Sequence, residues 1–497
     1  MTQVALFRSD RMQYAASPPF PPDCEFPELR GSPIGATGGP NPAYHAVRET
    51  LAMLGLDKHN FGTPQWNPLG AYIQRGDKVV LKPNLVLHQF GPQTNADCLT
   101  THGSVIRAML DYVYLAAGPE GRIVVADAPL QGADFSRVLA DAGLSQVQEF
   151  YWKELRCEIQ VIDLRQVHAV IDESSSLIRR VERLSGDPRG YCEIDLGQAS
   201  RLHEVDGPHP RYVVGDYDAR ATNARHRSPQ HSYVVSRSVL EADAVICLPK
   251  LKTHSKTGLT VCLKNMVGII GSKDCLPHHR QGKSDQGGDE FEAGYPLQWE
   301  WSARAHDWLQ GRVPLPLWRL SRRLAGTLLG AGTPHNGGGS DSAFYPSGGW
   351  HGNDTIWRTV DDLNRILFFY DPPTAAMQTQ KRRYFALVDG IVAMEGNGPL
   401  RGTPRPAGVV MGGDDPLAID IAAATLMGFD WRRIHLLEGI AHTRPTCSYS
   451  ASAANPLDIR LLSNVAEWRS WDGLAQNALS FRPPSGWRQF VEMQHVE

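Results

Sequence analysis

The chain has 497 residues, which at roughly 150 residues per domain predicts about three domains, or two with large insertions. Lysine and arginine number 50 against 53 aspartate and glutamate, a net charge of −3, and this near balance argues against a dedicated nucleic-acid binder with its basic excess. Hydrophobic residues at 42% and charged residues at 21% exclude a disordered chain. No run approaches the roughly 18 apolar residues of a membrane span, so no transmembrane helix is expected and membrane contact is the least expected partner. The start (MTQVALFRSD) has no basic region leading into an apolar run, and the eight cysteines form no C-x-x-C pair. The expectation is a cytoplasmic protein with reduced thiols and no iron–sulfur cluster.

Short β-branched runs alternate with helical patterns. Val4 to Phe7 reads as a strand, and a Pro/Gly-rich passage follows from Ser17 to Pro40. Asn41-Pro42 reads as a cap and first helical position, with Tyr44, Val47, Leu51 and Leu54 on one face and Gly55 at the stop. Lys78 to Leu81 is a strand running into Lys82-Pro83-Asn84. Thr101 is placed as the cap of a helix ending at Gly118, then Arg122 to Ala126 is a strand ending in Asp127. A helix over 134–144 and a strand near 159–164 continue the alternation. Strand–helix–strand order predicts an α/β fold, a mostly parallel sheet with helices on both faces.

Residues 170–236 are polar and rich in Gly, Pro and Arg, and read as an inserted β-rich subdomain; Ala244 to Leu248 returns to the core. A second, Trp/Gly/Pro-rich insertion spans 277–350. A helix over 354–369, strands at 384–388 and 408–411, and a helix over 416–427 complete the core, which gives segments 1–169, 170–236, 237–276, 277–350, 351–430 and a tail, 431–497. Within the second insertion, Leu317, Leu320, Leu324 and Leu328 share a helical face, flanked by arginines and tryptophans. That helix packs on its own core, or else contacts a second subunit through 297–330, closes as a lid, or rests on an anionic membrane surface, in that order of expectation.

Ligands of parallel sheets sit at the carboxyl ends of the strands. The run LPKLKTHSKTGLTVCLKNMVGIIG (248–271) delivers Lys250, Lys252, Thr253, His254 and Thr257 to such an end, and Leu259 to Val267 reads as a helix carrying Lys264 and Asn265. Cations, hydroxyls and a helix start converging on one place predict an anion site. Lys82 and Asn84 end a second strand of the same sheet. Asp389 ends a third, followed by Glu395 in a glycine-rich stretch, and this carboxylate pair is the candidate for a Mg²⁺-like divalent cation. His351, Asn353 and Arg358 are further substrate-binding candidates, although Asn353 or Asp354 also reads as a helix cap. Lys82, Lys250 and Asp389 are expected to line one cleft. As surface cations, Lys250 and Lys252 are expected to add little to folding.

Together KVVLKPNLV (78–86), VICLPKLKTHSKTGLTVCLKNMVGII (245–270), and VDGIVAMEGNGPLRGTP with GGDDPLAIDIAAATLMGFD (388–430) resemble the domain of unknown function 362 family. Many relatives carry a ferredoxin-like module with clustered cysteines, which this sequence does not match. The residues predict an enzyme acting on an anionic small molecule, a phosphate ester, nucleotide or carboxylate, by phosphoryl- or ligase-type transfer. In that reading His254 is the acid/base because its reference pKa lies near neutrality. Redox, proton or hydride transfer on a hydroxy acid, and a non-catalytic binding or assembly role, remain the alternatives.

Overall fold

The computed structural model describes residues 2–89, 95–171, 178–207, 211–214, 219–296, 345, 347–377, 379–442, 449–450 and 458–493. The leucine-striped helix within 297–330, and the subunit contact expected of it, lie outside these residues.

Ten strands form the central sheet: β1 (Gln3–Arg8), β2 (Lys78–Pro83), β3 (Arg122–Asp127), β4 (Gln160–Asp163), β5 (Ala244–Leu248), β6 (Lys250–His254), β7 (Gly258–Thr260), β8 (Arg383–Asn397), β9 (Arg401–Gly413) and β10 (Arg460–Ser463). The order is β10-β1-β9-β8-β5-β2-β3-β4, with β6 added to β8 and β7 to β6. Strands β8, β5, β2, β3 and β4 run parallel, as do β10 with β1 and β6 with β8; β9 opposes both β1 and β8, and β7 opposes β6. The mixed α/β architecture with a mostly parallel sheet follows the sequence expectation.

Period-two alternation splits the strands between two cores. Val79, Leu81, Ile246 and Leu248 face α1 (Pro42–Met53), α2 (Gly103–Ala117) and α3 (Leu144–Leu155), while Val80, Val245 and Cys247 face α4 (Ile356–Phe369) and α5 (Pro416–Met427). Each fully buried Val or Leu contributes about 1.5–3 kcal/mol, so a buried parallel strand is a strong anchor. The helix ends are set by local chemistry. The Asn41 side chain accepts from Tyr44 N with Pro42 at the first position, and the Asp415 side chain accepts from Ala418 N ahead of Pro416.

Three local expectations change. α2 starts at Gly103 with the His102 side chain accepting from Ser104 N, because Thr101 is used elsewhere: its hydroxyl donates to Leu248 O at 2.6 Å and accepts from Asn84 N at 3.0 Å. The strands expected at 384–388 and 408–411 are the inner halves of one long antiparallel hairpin, β8–β9, and residues 398–400 of the glycine-rich stretch are its turn. The helix expected over 259–267 shortens to Cys262–Asn265 followed by a 3-10 turn, Met266–Ile269. Here the Asp420 carboxylate of α5 accepts from Cys262 N and Leu263 N, a cap donated across the core. Between the core segments, small antiparallel sheets pair Val167–Ile171 with Ile178–Arg183, Gln230–Ser236 with Tyr191–Asp195 and His226–Arg227, and His279–Arg280 with Tyr212–Val213. No helix among the described residues is long and apolar enough to cross a membrane.

Candidate functional site

The sequence K-L-K-T-H is a strand, and that fact organises the site. In β6, Lys250, Lys252 and His254 take one side while Leu251 and Thr253 take the other. All five are buried, with Lys250 and Lys252 at 0% exposure. Register puts Leu248 opposite Pro83 and Lys250 opposite Asp389, so Lys82, Lys250 and Asp389 meet at one edge of the sheet. They meet in the interior rather than on an open cleft wall.

Two of the lysines have a carboxylate. Lys82 Nζ lies 2.7 Å from Asp127 Oδ1 and donates to Pro83 O at 2.8 Å and Asn265 Oδ1 at 3.3 Å. The second Asp127 oxygen accepts from Leu85 N at 2.6 Å. Lys250 Nζ lies 2.8 Å from Asp389 Oδ2 and donates to the Tyr14 hydroxyl at 2.6 Å; Tyr14 in turn donates to Asp389 Oδ1 at 2.7 Å. His102 N and Ile391 N also donate to Asp389, and the His102 ring stacks on Tyr14 at 3.9 Å. Burial lowers the His102 imidazole to about 4, so it is neutral in this packing. The Asp389 carboxylate is fully engaged.

Lys252, Lys264 and Lys273 have no carboxylate at salt-bridge distance among the described residues. Lys252 Nζ donates to Asn84 Oδ1 and Leu99 O, both at 2.8 Å. Burial, with Lys250 next in importance, lowers its pKa to about 7. Lys273, which sequence reasoning passed over, donates to Ala128 O at 2.6 Å and is lowered to about 7 by burial. Burial, then the charges of Lys256 and Lys82, lowers Lys264 to about 8. Among the described residues no hydrogen bond or ion pair reaches Lys264. Asn84 and Asn265 bind the group together: Asn265 Oδ1 accepts from Lys82 Nζ and Asn84 Nδ2, and Asn265 Nδ2 donates to Lys82 O. His254 Nδ1 accepts from Lys256 N at 3.1 Å. Burial and the charge of Lys264, with His278, Lys252 and Lys256, hold its pKa well below the usual value.

Gly268 lets this cluster close. A Cβ there falls 2.0 Å from Asp127 Oδ1 and 2.6 Å from Lys82 Nζ. Gly268→Ala is therefore expected to push the buried ion pair apart at a cost of about 1–3 kcal/mol, measured by urea denaturation.

The other candidates stand apart. Asp389 and Glu395 do not form a two-carboxylate cation site. They are six residues apart on β8, about 20 Å along an extended strand, and Glu395 faces Arg405 Nη1 at 3.4 Å and accepts from Arg482 N at 3.1 Å. Thr253 donates to Gly396 O and Thr257 to Leu259 O, closing the β6–β7 and β8–β9 turns. Asn353 Oδ1 accepts from Thr355 N and Ile356 N at the start of α4, while its amide donates to His278 O and Gly348 O. Arg358 pairs with Glu204 and Asp354, and His351 stacks on Phe490 at 3.8 Å. These three are tied into helix and loop packing. Of the groups sequence reasoning missed, Asp127 carried a signal as the terminal residue of β3, whereas Tyr14 and Lys273 lie outside any periodic pattern. One group with metal-ligand chemistry, His203, Asp206 and His231, joins the 3-10 turn Arg201–Val205 and the residue after it to the small-sheet strand Gln230–Ser236.

A family model described as Domain of unknown function (DUF362) matches residues 79–181 and 211–425, which include every lysine of the cluster. The chain is 21% identical over 245 residues to a thylakoid-associated protein of Synechocystis sp.; the stretch covers 49% of this chain and 49% of that protein, so the chain spans about half the length of the curated relative it matches. A crystal structure of a Thermotoga maritima protein aligns at 12% identity and a TM-score of 0.31, covering 74% of this chain and 55% of the other.

Proposed function

Because the chain belongs to the DUF362 family, whose name carries no reaction, we propose its function from the lysine cluster: it is an enzyme that binds a small anion, a phosphate ester, nucleotide or carboxylate, and moves a proton on it. The observation that carries this reading is the charge imbalance. Lys252 and Lys273 are buried and Lys264 is half-buried, none with a carboxylate partner among the described residues, and their pKa values are lowered to about 7, 7 and 8. Uncompensated buried charge is costly, and a bound anion relieves it. Lys252 supports the proton-transfer step. As a neutral amine near pH 7 it uses both N–H bonds on Asn84 Oδ1 and Leu99 O, which leaves its lone pair available as a base. His254, kept neutral, serves as a hydrogen-bonding neighbour rather than as the acid first expected of it. We also propose the cytoplasm as the compartment, from the sparse, unclustered cysteines.

Direct analysis of small molecules released on denaturing the purified chain, paired with a thermal-shift screen of phosphates and carboxylates, tests the reading. An anion that raises the midpoint for the native chain and fails to do so for a Lys252→Met, Lys264→Met variant supports it. A flat response to every anion overturns it. Phosphoryl transfer differs from proton transfer in the product: it moves phosphate between molecules, whereas the proposed step exchanges a substrate hydrogen with deuterated solvent.

The lowered lysines also set a pH dependence. Their pKa values lie below the ordinary 10.5 in the fold, so between about 7 and 10.5 the unfolded chain holds protons that the folded chain has lost. Stability therefore rises with pH across that window in the unliganded protein, and falls as pH drops through 8 and 7. Guanidinium midpoints at pH 6.5 and 9 measure it, and Lys264→Met is expected to flatten the difference.

A further inference from the structure

We propose that His203, Asp206 and His231 form a binding site for a first-row transition-metal dication of the zinc type, separate from the lysine cluster. His203 lies in the 3-10 turn Arg201–Val205, and Asp206 follows it directly. In a turn of three residues per repeat, positions i and i+3 fall on one side. His231 comes from the neighbouring strand Gln230–Ser236. One ligand atom from each residue lies within 4.8 Å of the other two, and the two imidazole rings meet edge-on at 6.0 Å between centroids.

Unsatisfied atoms point to a ligand. His203 Nδ1, both oxygens of Asp206 and both ring nitrogens of His231 are buried and make no hydrogen bond. The side chains of Asp206 and His231 are 1% and 0% exposed, and their nearest approach, 3.6 Å, is too long for a hydrogen bond. A buried carboxylate without a donor, beside imidazole nitrogens without partners, is unfavourable. A single dication satisfies all three side chains at once. Two imidazoles and one carboxylate suit zinc, iron(II) or cobalt(II), not magnesium, which prefers oxygen. Bonds of ~2.1 Å in a tetrahedral shell bring ligand atoms to about 3.4 Å, so binding draws any two of the three together by at most about 1.4 Å. Three protein ligands leave one coordination position open, and the ion clips the turn at 201–206 onto the strand at 230–236.

The test uses the full chain, stripped with a chelator and titrated with Co²⁺ and Zn²⁺. One ion per chain is expected, with the d–d absorption of a four-coordinate cobalt site and an X-ray absorption signature of two imidazoles. His203→Gln, on the partly exposed turn, and Asp206→Asn are expected to weaken the affinity by more than the ~10–100-fold that follows loss of an outer-shell partner, with unchanged far-ultraviolet circular dichroism. No stoichiometric ion, or a stoichiometry and affinity unchanged in both variants, overturns the proposal and marks the binding as adventitious. Should the variants fail to fold, the absorption signature of the native chain decides alone: absence of imidazole ligation refutes the site.

Discussion

Lys250→Ala is expected to lower the free energy of unfolding by about 3–5 kcal/mol, because it strands a fully buried carboxylate. Asp389 takes hydrogen bonds from Lys250 Nζ, the Tyr14 hydroxyl, His102 N and Ile391 N, and both charged side chains are 0% exposed. Removing the ammonium leaves a negative charge in a place where water does not reach it. The Lys250→Met, Asp389→Leu double variant is expected to recover most of the loss, since an apolar pair of similar volume often replaces a buried ion pair without penalty. Denaturant unfolding of the two variants provides the comparison. An unchanged midpoint for Lys250→Ala would show that the pair is solvated, as expected of surface lysines.

The second large effect has the opposite sign for stability. Lys264 has no ion-pair partner among the described residues, and burial has already lowered its pKa to about 8. Lys264→Met is expected to leave the unliganded fold as stable as before, or more stable at pH 7 and below, because it removes an uncompensated charge. Anion affinity is expected to fall by about 10–100-fold, the equivalent of one charge-assisted hydrogen bond at ~1.5–3 kcal/mol. Calorimetric titration of each variant with the same anion separates the two quantities. A variant that unfolds readily and still binds makes Lys264 structural.

The contrast between these lysines explains what was legible in the sequence. Alternation of apolar runs with helical patterns, the Asn41-Pro42 and Asp415-Pro416 caps and the polar strand ends were all local signals, and they placed the parallel core and the shared edge of Lys82, Lys250 and Asp389. Burial of those lysines was not local. It depends on β8 and β9 forming a hairpin long enough to carry an extra strand, β6, on its flank. The period-two pattern of Lys250, Lys252 and His254 was present, but three lysines in seven residues resemble a solvated loop. Asp389 and Glu395 shared a short stretch of sequence and were read as partners, yet an extended strand carries residues apart by about 3.3 Å each. The triad at His203, Asp206 and His231 was invisible for the same reason in reverse: a turn and a strand 25 residues apart meet only through tertiary structure.

Anion binding at the lysine cluster is tested most directly by proton linkage. Calorimetric titration at pH 8.5, in two buffers of different ionisation enthalpy, counts protons taken up per anion bound. Lys252, Lys264 and Lys273 have pKa values of about 7, 8 and 7, so they are largely neutral at that pH, and an anion seated among them raises those values and draws protons in. Uptake approaching one proton or more, reduced in Lys264→Met, is the predicted result. Binding with no proton uptake, or uptake unchanged when Lys252 and Lys264 are both replaced, would contradict it.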